Sequence, residues 1–107
     1  KTLLHIAAAG GAGSGAWRTS AFLEAGRYRF EGRVRTSGNG PTNSGSVFLR
    51  TSRGSTRGQI TGDSDWRELS SKLTVEDPIE SVEFICELRA PQGEAWFEEG
   101  SLRLIRE

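Results

Sequence analysis

Residues 26–36 read GRYRFEGRVRT, and this stretch decides the fold. Tyr28, Phe30, Gly32 and Val34 alternate with Arg27, Arg29, Glu31, Arg33 and Arg35. Side chains on a strand point to opposite faces in turn, so this segment has one apolar face and one charged face. A helix turns about 100° per residue and would scatter the same apolar groups around its axis. The segment is a half-buried β-strand.

Working outward, LEAG at 23–26 reads as a turn out of an earlier strand at 17–23. A short apolar strand at 3–8 precedes it, joined by AGGAGSG at 9–15, a flexible connection. SGNGPTNSGS at 37–46 is a loop by composition and leads into a strand at 46–52. Residues 53–62 are rich in Gly, Ser and Thr, with a short strand near Gln59 and Ile60. GDSD then turns the chain into a strand at 66–75, where Leu69, Leu73 and Val75 point inward. Glu76, Asp77 and Pro78 form a turn, a strand follows at 81–89, and after APQG the last strand runs over 94–106.

That makes eight short strands with turn signals between them and no segment with apolar groups at helical spacing. The fold class is all-β, an antiparallel two-sheet sandwich of jelly-roll type. A chain of 107 residues forms a single domain, 1–107, and buries roughly two-thirds of its unfolded surface without staples. Lys+Arg and Asp+Glu both number 14, and this balance argues against a nucleic-acid partner, which needs a basic excess. No apolar run is long enough to span a bilayer. The chain starts at Lys1 and has no Met, as expected of a processed product or a piece of a larger protein.

Catalytic chemistry finds little support. The lone Cys86 alternates in step with Val82, Phe84 and Leu88, which makes it a small core hydrophobe and excludes an internal disulfide. His5 is the only histidine and has no Ser or Cys signature around it, so a structural or solvated role is expected. One Cys and one His do not supply a zinc site, and AGGAGSG lacks the Lys and helix of a phosphate loop. Glu83 and Glu87 share a strand face at about 13 Å, too far apart for either glycosidase geometry. Neither a metal nor a cofactor is expected, and the protein is not expected to be an enzyme.

Three stretches together resemble a known family. LEAGRYRFEGRVRT (23–36), GDSDWRELSSKLTV (62–75) and AWFEEGSLRLIRE (95–107) resemble, in order and spacing, three strands of carbohydrate-binding modules with the galactose-binding-like jelly-roll fold. The resemblance implies that strands one, eight, three and six are neighbours in one sheet, and two, seven, four and five in the other. It implies an accessory domain of a secreted or envelope protein of bacteria, extracellular or in the cell envelope, with carbohydrate or a neighbouring domain of the parent protein as partner. Glu98 and Glu99 stand where the family often has a calcium-binding Asp, and no metal is expected here.

On that arrangement the second sheet is the usual ligand face. Its outward groups are Phe48, Arg50, Glu83, Ile85, Glu87 and Arg89, with Arg18 from strand two. An aromatic platform for a sugar's C–H face, flanked by fixed carboxylate and guanidinium groups for its hydroxyls, is what sugar recognition requires. Phe48 is the platform, and Arg50 and Glu87 flank it. Trp66 at the loop rim is the other ligand candidate, although the family's Asp-Trp tryptophan more often plugs the end of the sandwich. The Arg27, Arg29, Arg33 and Arg35 row on the first sheet faces Glu68, Lys72, Glu94, Trp96 and Glu98. It reads either as a ladder of ion pairs with an Arg stacked on Trp96, or as a surface for polyanions. A module that packs against neighbouring domains without a sugar ligand is the alternative function.

Overall fold

A computed structural model of the chain describes residues 2–8, 13–38, 46–54, 57–90 and 93–107. The strands are β1 (Leu3–Ala8), β2 (Gly13–Ser37), β3 (Ser46–Thr51), β4 (Gly58–Thr61), β5 (Ser64–Ala90), β6 (Gly93–Glu98) and β7 (Arg103–Arg106). A single 3₁₀ turn at Glu99–Ser101 separates β6 from β7. The strands form one antiparallel sheet in the order β1-β6-β2-β5-β3-β4, and β7 pairs with β2 beside β6.

Every neighbour relation expected of the two sheets is present, but the sheets are not separate. The strands expected at 17–23 and 26–36 are the two halves of β2, and those at 66–75 and 81–89 are the two halves of β5. The first half of β2 pairs with the second half of β5, and the second half of β2 with the first half of β5. The turns expected at 23–26 and 76–78 are therefore bends within continuous strands. Their cause is a register slip in which Glu76, Asp77 and Pro78 stand opposite Ala25 alone. Such bulges bend a strand and increase its twist without ending it. Tyr28 Oη donates to the Glu24 carbonyl at 2.6 Å, and Arg106 Nη2 donates to the Ala25 carbonyl at 2.8 Å, so the bend is pinned from both sides. The result is one sheet curled into a half-barrel, in place of two stacked layers.

Two further boundaries differ from the sequence reading. Gly13 to Gly15 belong to β2, while 9–12 lie outside the described residues, as does most of the 37–46 loop. The final strand expected over 94–106 is broken at Glu99–Ser101, where the Leu102 N–H bonds back to the Glu99 carbonyl.

The curl gathers the alternating apolar residues of both halves into one core. Tyr28, Phe30 and Val34 from β2 meet Val47 and Leu49 from β3, Leu73, Phe84 and Leu88 from β5, and Phe97 from β6. Phe30 and Phe84 come from opposite halves and meet edge to face, ring centroids 5.1 Å apart. Near β4 the curl is closed: Gly54 bridges to Leu73 of β5. On the other side it gapes, leaving a cleft of about 570 Å³ whose walls include Leu4, Trp17, Phe30, Phe84, Leu102 and Leu104.

Cys86 is in the core as its alternation implied, and burial pushes its thiol up to about 12. A thiol that cannot form its thiolate does not attack disulfide reagents. The native protein should therefore be inert to Ellman's reagent at neutral pH and release one equivalent on unfolding. Rapid labelling of the folded protein would contradict this placement.

Candidate functional site

The outer face of the half-sheet formed by the first half of β2, the second half of β5, β3 and β4 brings the expected residues together. Phe48 stands opposite Glu87, Arg50 opposite Ile85, and Ser46 opposite Arg89, and on the other flank Arg18 stands opposite Ile85. Because Val47 and Leu49 point into the core, Phe48 and Arg50 must point out.

Phe48 is not the open platform expected. It is 5% exposed because two guanidiniums cover it: that of Arg57, 4.5 Å from the ring centroid, and that of Arg89, 5.2 Å away. Each such contact at a surface contributes only about 0.5–1 kcal/mol, so the cover over the ring is weakly held. Glu87, 6% exposed, is gripped on both oxygens. Arg50 Nε donates to Oε1 at 3.0 Å, and Arg89 Nε lies 3.1 Å from Oε2. Glu83 is separate, paired with Arg18 at 3.0 Å on the exposed flank. Beside Phe48, on β4, Gln59 reaches the hydroxyls of Ser46 and Thr61, each at 3.4 Å.

Burial alone would raise the Glu87 carboxyl, but hydrogen bonds and charge from Arg50 and Arg89 outweigh it and hold the group below 4.5. A carboxyl depressed by folding adds stability above its unfolded pKa and loses it as pH falls through the folded value. Wild-type stability should thus decline below about pH 4.5, and Glu87→Gln should flatten part of that decline. Identical acid limbs in urea titrations of the two proteins would show that the clamp contributes nothing.

The outer face of the other half-sheet is the ion-pair ladder. Arg33 lies 3.7 Å from Glu98, Arg29 3.5 Å from Glu107, and Arg103 2.9 Å from Glu31. Trp96 is stacked on His5, centroids 5.3 Å apart, and carries the Arg35 guanidinium 5.5 Å from its ring. His5 also bonds Glu94 at 2.8 Å. Trp66 does not plug the core. Val34 points inward and pairs with Arg67, so Trp66 faces out, half-buried, with Arg33 5.9 Å from its ring. A shallow groove lined by Arg35, Thr36, Asp63, Ser64 and Asp65 lies at that rim. Among the described residues no three His, Cys, Asp or Glu side chains converge as a metal site, and no helix is long and apolar enough to cross a membrane.

Sequence reasoning missed Arg57 and Gln59. Neither sits in a strand with a readable alternation, and the pairing of β4 with β3 alone places them beside Phe48.

The curled antiparallel sheet has the fold of carbohydrate-binding modules. It is similar to the module TmCBM61, solved in complex with β-1,4-galactotriose, at a TM-score of 0.66 and 13% identity over 96% of this chain and 69% of that one. It is similar also to the EclA C-terminal domain, a sugar-binding protein, at a TM-score of 0.65 and 13% identity over 96% and 76%. The sequence matches no family model and no curated protein sequence.

Proposed function

We propose that this chain is a non-catalytic carbohydrate-binding module, accessory to a larger protein and acting outside the cell or in its envelope. Its ligand lies on the outer face carrying Phe48, Arg50, Glu83, Glu87 and Arg89; the loop rim at Trp66, on the outer face of the other half-sheet, is the alternative location. The observation that carries this reading is the pairing of Phe48 with Glu87 across β3 and β5, the carboxylate held rigid by Arg50 and Arg89. An aromatic ring beside a fixed acceptor and fixed donors suits a sugar ring, whose faces are apolar and whose rim is hydroxylated. The fold shared with sugar-binding modules supports it. No catalytic role is assigned to Glu87: a carboxylate kept ionised by two guanidiniums is an acceptor, not a proton donor.

Affinity electrophoresis through polysaccharide gels tests the reading. Retardation by at least one polysaccharide, abolished in Arg50→Ala and Glu87→Ala, is expected. A second reading, a module that packs on a neighbouring domain, rests on Phe22 and Ile79. Both are widely exposed, at 78% and 66%, and they lie diagonally across β2 and β5 at the bend. Indifference to every glycan would favour that reading.

A further inference from the structure

The chain as a whole is neutral, yet the face around Phe48 is not. Arg18, Arg50, Arg57 and Arg89 meet only Glu83 and Glu87 there. Arg18 is matched by Glu83, which leaves three guanidiniums against the single carboxylate of Glu87, and only Arg50 and Arg89 are paired with it. Every Asp and Glu of the sequence lies among the described residues, and none is within ion-pair range of Arg57. Arg57 instead rests on the Phe48 ring, a contact that leaves its charge unneutralised. Local excess charge of one sign selects ligands of the other, whatever the net charge of the molecule.

We propose that this face recognises an acidic polysaccharide, through a carboxylated sugar ring of the uronate type laid over Phe48 with its carboxylate taken by Arg57 and Arg89. The inference rests on the carbohydrate-binding reading above and narrows it. Planar guanidiniums match a planar carboxylate, and the cluster already holds one, that of Glu87, between Arg50 and Arg89. A uronate joining the site supplies the second anion that three guanidiniums lack. As Arg57 swings from the ring to the incoming carboxylate, Phe48 is uncovered for the sugar's apolar face. Glu87 then plays the part of a built-in competitor, and it sets how strong a ligand must be to open the site.

The experiment is affinity electrophoresis and calorimetry of the full chain with polygalacturonate, neutral β-1,4-galactan, dextran sulfate and duplex DNA. Expected is binding to polygalacturonate that weakens as salt rises and falls about tenfold in each of Arg57→Gln and Arg89→Gln. Arg35→Gln, on the other face, leaves it unchanged. Glu87→Ala takes away the partner that fixes Arg50 and Arg89 and abolishes binding. Glu87→Gln keeps an acceptor for them, removes only the competing charge and tightens polygalacturonate binding several-fold, whereas a neutral sugar using the Glu87 carboxylate would bind more weakly to Glu87→Gln. Circular dichroism verifies that each variant is folded. Binding to galactan alone, lost in Phe48→Ala, overturns the acidic ligand and leaves the carbohydrate reading standing. Equal or stronger binding to dextran sulfate or DNA overturns it in favour of a generic polyanion surface. Retention by none of the four overturns the acidic ligand, and the carbohydrate reading then falls or stands on the wider glycan panel.

Discussion

Phe97→Ala is expected to cost roughly 3–5 kcal/mol of unfolding free energy, the usual range for removing a fully buried phenyl ring. Phe97 is wholly buried and sits where three strands meet, opposite Leu4 of β1 and Val34 of β2. Among the described residues both halves of the sheet contribute to one cluster, so the cavity opens in the core they share. Domains of this kind have only about 5–15 kcal/mol in total, so the variant sits near the limit of folding. Urea unfolding followed by tryptophan fluorescence measures it, with a lower midpoint and an unchanged slope as the signature. Phe22→Ala is the control: a ring that is mostly in water should change stability by no more than about 0.5 kcal/mol. Equal costs for the two substitutions would mean that the strands do not curl around Phe97.

Gly58→Val is expected to destabilise by roughly 1–3 kcal/mol and to weaken ligand binding as well. Gly58 points inward from β4, where the closed side of the curl brings it against the first half of β5. A Cβ added there would lie 2.7 Å from Leu69 Cβ, 3.0 Å from the Ser70 nitrogen and 3.1 Å from its carbonyl oxygen. Two of those neighbours are backbone and cannot rotate away, so β4 itself must lift. Arg57 immediately precedes β4, and lifting the strand carries its guanidinium off Phe48. Hydrogen exchange at Gln59 and Thr61 should accelerate in the variant, alongside lower thermal stability. Gly100→Val tests specificity, since a Cβ at that position meets nothing within 4 Å. Native-like exchange on β4 in Gly58→Val would refute the close approach.

The alternation of Tyr28, Phe30 and Val34 with four arginines was legible because a strand's two faces are written directly into its sequence. The same parity placed Phe48, Arg50, Glu83, Glu87 and Arg89 on outward positions, and the register of β3 on β5 makes those positions one surface. Parity also held the answer for Trp66: three residues before the inward Leu69, it belongs to the opposite face, and counting from Leu69 overrides the resemblance that made it a plug. The bends were not legible. Gly26 and Pro78 have the same local chemistry in a turn as in a bulge, and only the partner strand decides whether the ladder stops or slips.

By itself, then, the sequence determined what is periodic: extended segments, which side chains they bury, and a core that includes Cys86. Tertiary structure alone decided what depends on which strands lie side by side. Two pairs of strands became two long ones, so the layers joined into a single curled sheet. The β4 edge brought Arg57 over Phe48 and turned an open aromatic platform into a covered one. Burial follows the repeat of a chain through its own residues, whereas charge balance at a surface depends on neighbours far away in sequence. The excess of guanidinium around Glu87 is therefore invisible in a chain whose charges sum to zero.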